Sequence, residues 1–271
     1  MKENKSIKEF AIGSSKKYVD VFSSSIRDVV FEDRGILNSE MLLVCSMILE
    51  KNIDVLIESG RFLGQSTEVL ARFFLGKPVI IESIEIFRDK NAEHVEEKLT
   101  YYENVHLLYG DAQSLVPNLV RKYRGKNIAI LFDGPKGLEA IRVYQKALLV
   151  GGTDVKVGFF HDMRRGVVGM PSASREILER ECSDCFFSDD KEFVSLFQEL
   201  DSECQNHEWS PYKIAGREIG SYGPTIGITI PSKEDYAYAK KIFLKIGANV
   251  LKNSLKSKMI VSLKRFRGEI M

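Results

Sequence analysis

Long apolar runs are missing from this 271-residue chain. Its most apolar stretches, around 79–81 and 128–132, are interrupted within six residues. A bilayer span needs roughly twenty, so no membrane crossing is expected. Cysteine is scarce too: four residues are too few for a disulfide scaffold. Charge of one sign is absent, since 39 Lys and Arg against 38 Asp and Glu leave a formal charge of +1. The 20 Gly and 7 Pro show no short period, which excludes collagen-like and low-complexity chains. With 44% apolar residues, enough surface can be buried to offset the entropy of ordering, so disorder is excluded as the main state. The first ten residues, MKENKSIKEF, carry charges but no apolar run of the signal-peptide kind. A cytoplasmic, reduced, soluble protein is therefore expected, with a length that suits one large domain.

What the chain does have is rhythm. Short apolar runs at 54–59 (DVLIES), 78–84 (PVIIESI), 104–108, 127–132 (NIAILF) and 155–160 (VKVGFF) alternate with helical patterns at 65–75, 89–101, 114–123 and 138–149. Strand and helix in alternation imply right-handed parallel crossovers. The unbroken apolar strands fit a sheet covered on both faces. Before this core, 1–50 is helical, clearest at 38–50 with Ser39 as N-cap. After it come a helix at 172–182, a short strand at 184–188, an amphipathic helix at 191–205, a strand at 224–230 and a helix at 232–246. The expectation is a single α/β domain with a Rossmann-like, doubly wound sheet of seven strands: five parallel strands plus a C-terminal antiparallel hairpin. Residues 1–50 supply N-terminal helices, 51–162 the cofactor-binding core, and 163–271 the part that completes the sheet, with inserts and a basic tail.

The first strand turns into its helix through Glu58-Ser59-Gly60-Arg61-Phe62-Leu63-Gly64-Gln65-Ser66-Thr67. Two glycines four apart permit a tight turn, a close ligand approach and free amides at a helix N-terminus. A triphosphate loop would read GxxxxGK[ST]; here the spacing is one short and Gln65 stands in the lysine position. The GxGxxG dinucleotide pattern is absent as well. This turn resembles motif I (E-x-G-x-x-x-G-x-S/T) of class I S-adenosylmethionine-dependent methyltransferases, in the small-molecule O-methyltransferase-like branch. The resemblance implies that Glu58, Ser59, Gly60, Gly64 and Ser66 help hold the cofactor. A sulfonium ligand without pyrophosphate needs no lysine, in keeping with Gln65.

Two further strand ends fit that reading. A nucleoside cofactor wants an acid about 20 residues on, at the next strand's tip, for its ribose hydroxyls. Glu85 lies 25 residues after Gly60 and closes the second run, while Glu82 sits inside it with a structural or solvent-facing role. The third strand ends Tyr109-Gly110-Asp111-Ala112, which resembles the family's adenine corner. There Asp111 and the amide of Ala112 would read the base.

The fourth strand ends in Asp133 and the fifth in His161-Asp162. Ligands of open α/β sheets bind at the carboxyl ends of strands, so Asp133 faces the same crevice as the cofactor residues. Asp133, His161 and Asp162 are the candidate catalytic residues, and Asp133 is also expected among those that bind the cofactor. Two mechanisms stay open. Metal-dependent relatives hold a divalent cation at such positions, and Asp133 with Asp162 could do so, although no third protein ligand is evident and no residue is assigned to a metal. Alternatively, His161 or Asp162 is a general base on a substrate hydroxyl.

Other features are weaker. Cys182, Cys185, Cys204 and His207 have zinc-ligand spacing but lack a glycine-rich knuckle, and buried or incidental thiols are the favoured reading. From 240 onward nine Lys and Arg face Glu269 alone; a solvated face explains them more simply than a phosphate partner. Asp133-Gly134-Pro135-Lys136 lacks the Pro-Pro-aromatic run of nucleic-acid amino methyltransferases, which argues against base methylation. The crevice roof would come from 1–45, 163–174 and 206–222, the last bearing Trp209, Tyr212 and Arg217. The resulting expectation is O-methylation of a small-molecule hydroxyl with S-adenosylmethionine, in a fold whose relatives are often homodimers. A nucleotide-binding oxidoreductase and a catalytically silent cofactor-binding module are the alternatives.

Overall fold

Strands buried on both faces need apolar side chains in both directions; the runs form β1 (Val55–Ser59), β2 (Ile80–Glu85), β3 (Val105–Tyr109), β4 (Ile128–Phe132) and β5 (Val155–Phe160), with β3 at the edge only partly buried. The computed structural model describes residues 6–32, 35–163, 173–182, 184–206, 223 and 225–241. Two short strands, β6 (Cys185–Phe187) and β7 (Gly227–Thr229), complete one seven-stranded sheet in the order β3-β2-β1-β4-β5-β7-β6. β1 to β5 pair in parallel, and β7 runs antiparallel to both β5 and β6. The expected C-terminal hairpin is therefore present, with its later strand next to β5.

The helices are α1 (Ile7–Ile26), α2 (Asn38–Glu50), α3 (Gln65–Phe73), α4 (Ala92–Leu99), α5 (Ala112–Lys122), α6 (Leu138–Gly151), α7 (Ala173–Glu181) and α8 (Lys191–Phe197), followed near the end by a helix over 233–241. Alternate residues of each strand point to opposite faces. Leu56, Ala129, Leu131, Val157 and Phe159 enter one core layer with α1, α2, α3 and α8. Val55, Ile57, Ile128, Ile130 and Phe160 enter the other with α5, α6 and α7. Among the described residues no helix is long and apolar enough to cross a membrane.

Two local expectations change. Ser39 is not the N-cap of α2: Leu37 holds that position, and its amide donates to Glu40 (3.2 Å). The Ser39 amide and hydroxyl go instead to Asp201, at 2.9 and 2.7 Å. Second, the helix expected over 191–205 is α-helical only to Phe197 and then tightens into a 3-10 stretch, Gln198–Asn206. That stretch carries Asp201 to the N-terminus of α2, where exposed amides favour a carboxylate.

Candidate active site

Five strand ends are laced together by backbone hydrogen bonds. Gly60 N–H donates to Ile84 (3.0 Å), Gly110 to Glu85 (2.9 Å), Asp133 and Gly134 to Ser59 (2.7 and 2.8 Å), and His161 to Phe132 (2.9 Å). The residues that follow β1, β2, β3, β4 and β5 thus form one rim at the carboxyl edge. β1 and β4 lie at its centre, where the strand order reverses and ligands of such sheets bind.

The glycines are required first by internal packing. Gly60 has φ +92°, and a Cβ on it would fall 2.7 Å from the Asp133 carbonyl carbon and closer still to the Gly134 nitrogen. Gly64, at φ +85°, caps α3 against Val95 and Leu99 of α4. Ligand approach, the reason the sequence suggested, comes second to this fit between neighbouring tips. The Ser59 hydroxyl donates to the Gly134 carbonyl, clamping the same two tips.

Behind the turn, Glu58 is fully buried. Its carboxylate accepts hydrogen bonds from Ser66 (2.6 Å), Thr67 (2.5 Å) and Ser83 (2.6 Å). Burial raises its pKa, and the three hydroxyls only partly oppose that. Glu85 faces the turn from β2: one oxygen accepts the amides of Arg61 (3.0 Å) and Phe62 (2.8 Å), the other the amide of Ile86 (2.8 Å). A carboxylate has about four lone-pair sites, so Glu85 keeps capacity for a further donor. Glu82 is structural, buried beneath Lys122 (2.7 Å), Tyr123 and His106 (3.3 Å). Asp111 is exposed and caps α5 through the Gln113 amide (2.9 Å), with Ala112 buried as the first helical residue. Around this part of the rim, Phe62, Ile86 and Phe87 leave apolar side chains 50%, 54% and 70% exposed.

At the β4 and β5 tips lies a charge cluster. Buried His161 places Nδ1 2.7 Å from Asp133 Oδ1 and Nε2 3.4 Å from Glu40, itself buried. The second contact is an ion-pair separation without hydrogen-bond geometry. Glu40 also accepts from Ser188 (3.1 Å). Lys136 Nζ bridges Asp133 (2.8 Å) and Asp162. Asp162 is more exposed and held at φ +61°. Burial disfavours charge on both His161 and Asp133, yet each overcomes it through the other. The Asp133 and Glu40 carboxylates hold the imidazole well above its ordinary 6.5. His161 and Lys136 hold Asp133 well below its ordinary 3.8. Lys136 is likewise raised: burial lowers it, and the two aspartates more than compensate. His161 is thus enclosed behind the rim, with Nδ1 on Asp133 and Nε2 toward Glu40.

Ligand-type atoms of Asp133, His161 and Asp162 lie within 4.8 Å of one another, as a divalent cation would need. The donors, however, are committed. An ammonium stands between the two carboxylates, and the imidazole Nδ1 is already engaged by Asp133 at 2.7 Å. This set does not fit a resident divalent cation.

Lys136, Glu40 and Arg61 were given no role by sequence reasoning. Lys136 carried a signal, three residues after Asp133 at a strand tip. Glu40 carried none, being joined to His161 only by the fold. Arg61 is buried over the Tyr109 ring (4.9 Å) with Nη1 on the Ser83 carbonyl (2.6 Å). Of the zinc candidates, Cys185 directs its thiol to the carbonyls of Leu178 (3.7 Å) and Cys182 (4.0 Å). The side chain of Cys204 and all of His207 lie outside the described residues, as do 164–172, 207–222 and the basic tail beyond 241.

No protein-family model and no curated protein matches the chain. Solved structures do resemble it. The O-methyltransferase TomG from Streptomyces achromogenes, involved in tomaymycin synthesis and in complex with SAM, is 17% identical. The match covers 81% of this chain and 90% of that one, at a TM-score of 0.43. An O-methyltransferase from Bacillus cereus in complex with SAH is 15% identical over 80% and 90%, at 0.43. The SAH-bound Podospora anserina methyltransferase PaMTH1 is 12% identical over 86% and 98%, at 0.43.

Proposed function

We propose that this protein is an S-adenosylmethionine-dependent methyltransferase acting on a hydroxyl of a small molecule. One observation carries the reading: the glycine turn, Glu85, Asp111 and the Asp133–His161–Asp162 cluster end or follow five neighbouring strands and share one laced rim. Glu85, with lone pairs to spare, binds the ribose hydroxyls. Phe62, Ile86 and Phe87 offer exposed apolar faces beside it, suited to a flat base such as adenine, whose edge meets Asp111 and the Ala112 amide. Gly60, Gly64 and Ser59 shape the turn that receives the methionine portion, while Glu58 and Ser66 brace it from behind.

When bound, the cofactor's sulfonium supplies an electrophilic methyl group. Asp133, Lys136 and Asp162 orient the acceptor oxygen, and half-open Asp162 passes the hydroxyl proton to water. Alignment of nucleophile and methyl carbon at roughly 3–3.5 Å supplies much of the rate. Thermal shift with S-adenosylhomocysteine, NAD and ATP in parallel tests the reading. A ligand at about 100 Kd adds about 2.7 kcal/mol. S-adenosylhomocysteine is expected to stabilise the protein, and a shift with NAD alone would replace the methyltransferase by an oxidoreductase.

A further inference from the structure

We propose that the Lys136 ammonium takes the place of a divalent cation at this rim and presents a single N–H to the acceptor, so that the site binds one lone oxygen and not a chelating pair. The inference rests on the methyltransferase reading for its substrate, but its geometry is independent of it. A lysine has three donors. Two are used, on Asp133 (2.8 Å) and on Asp162. The side chain is 49% exposed, so the third can face the cleft. Asp133 is pinned from behind by His161, which also stands 3.8 Å from Asp162 and is itself faced by Glu40 on α2. The ammonium therefore sits in a fixed socket.

The consequence for substrate class follows from charge and valence. A divalent cation takes six or more oxygens and can bind two from one acceptor. One ammonium N–H satisfies one oxygen. The acceptor is then a molecule with an isolated hydroxyl acidic enough to lose its proton beside a single positive charge, such as a phenol or an enol without a vicinal partner. In the transfer, the acceptor's O–C bond forms as the sulfonium's S–C bond breaks, and that electron pair stays on sulfur as a neutral thioether. The hydroxyl proton leaves through Asp162 to water.

Manganese titration followed by electron paramagnetic resonance tests this without an acceptor. The wild-type protein, free and with S-adenosylhomocysteine, is expected to take up no stoichiometric Mn²⁺. Lys136→Met, which empties the socket and leaves two carboxylates facing each other, is expected to gain at least about tenfold in Mn²⁺ affinity. One Mn²⁺ bound per wild-type chain would overturn the inference, and that measurement needs no variant to fold. A folded Lys136→Met with no gain would overturn it as well. Calorimetry with S-adenosylhomocysteine on the same samples keeps the two ideas apart. Loss of that binding strikes the methyltransferase reading, while the Mn²⁺ result alone decides the role of Lys136.

Discussion

Glu58→Ala separates a brace from a ligand. The carboxylate is fully buried and receives three hydroxyls, from Ser66, Thr67 and Ser83. Without it, Thr67 and Ser83, already 3.2 Å apart, can bond each other. Ser66 is left orphaned at a cost of about 1–3 kcal/mol, and the emptied space adds about 1 kcal/mol. The expected loss is about 2–4 kcal/mol, or roughly 5–15 °C in Tm for a chain of this size. Glu58→Gln keeps the volume and most hydrogen bonds, so it loses less. Its pH dependence has a definite sign. Burial raises the folded pKa of Glu58 above 4.5, so the stability it contributes is complete below 4.5 and is lost as pH rises through the folded value. Glutamine has no such slope, and the variant should gain on wild type from pH 4 to pH 8. Urea denaturation at both pH values, with and without S-adenosylhomocysteine, reads all of this. If Glu58→Ala were as stable as wild type but unable to bind S-adenosylhomocysteine, the carboxylate would face the cofactor and the brace would be refuted.

Glu85→Gln should weaken S-adenosylhomocysteine about 10- to 100-fold by calorimetry, the worth of hydrogen bonds to a charged group; unchanged affinity would remove Glu85 from the ribose site. Gly60→Ala should destabilise by about 2 kcal/mol or more, because its Cβ meets the Gly134 backbone and its φ is positive; a wild-type melting curve would contradict the packing of these tips. Asp162→Asn should keep cofactor affinity and slow methyl transfer to an identified acceptor roughly 100-fold, as followed by label transfer from methyl-labelled cofactor. The Asp133–His161 pair should stabilise most between pH 3.8 and 6.5. Asp133, depressed in the fold, loses its contribution as pH falls below 3.8, and His161, elevated, loses its own as pH rises through its folded value. His161→Phe should remove the alkaline decline in a pH series of melting temperatures.

The sheet was legible because its physics is local. β1 and β4 are buried at every residue, and such strands announce themselves as unbroken apolar runs. The glycine turns and the lengths of the intervening helices then leave few ways to connect them. The limits of α2 could be read to the residue, but its cap could not. Ser39 has the chemistry of an N-cap, and a competing acceptor, Asp201, arrives from 162 residues away. The break after Phe197 escaped for the same reason, since the apolar spacing of 191–205 continues through a change of helix type that serves a distant contact.

The site divides along the same line. The strand-end candidates Gly60, Glu85, Asp111, Asp133 and Asp162 were visible because parallel order puts every such end on one edge. What those side chains touch was not visible. The acid of the glycine motif turns inward to three hydroxyls, and the histidine drawn as a base is enclosed by Asp133 and Glu40. Both outcomes have one cause: a charge buried in this fold is kept only where opposite charge or several donors meet it. Applied to the rim, that rule separates groups that hold the site from groups that can act in it. Glu58, Glu40 and His161 are buried and held by partners behind the rim. Lys136 and Asp162 are matched yet open to solvent. On the proposed methyltransferase reading, proton movement and acceptor contact pass through this last pair.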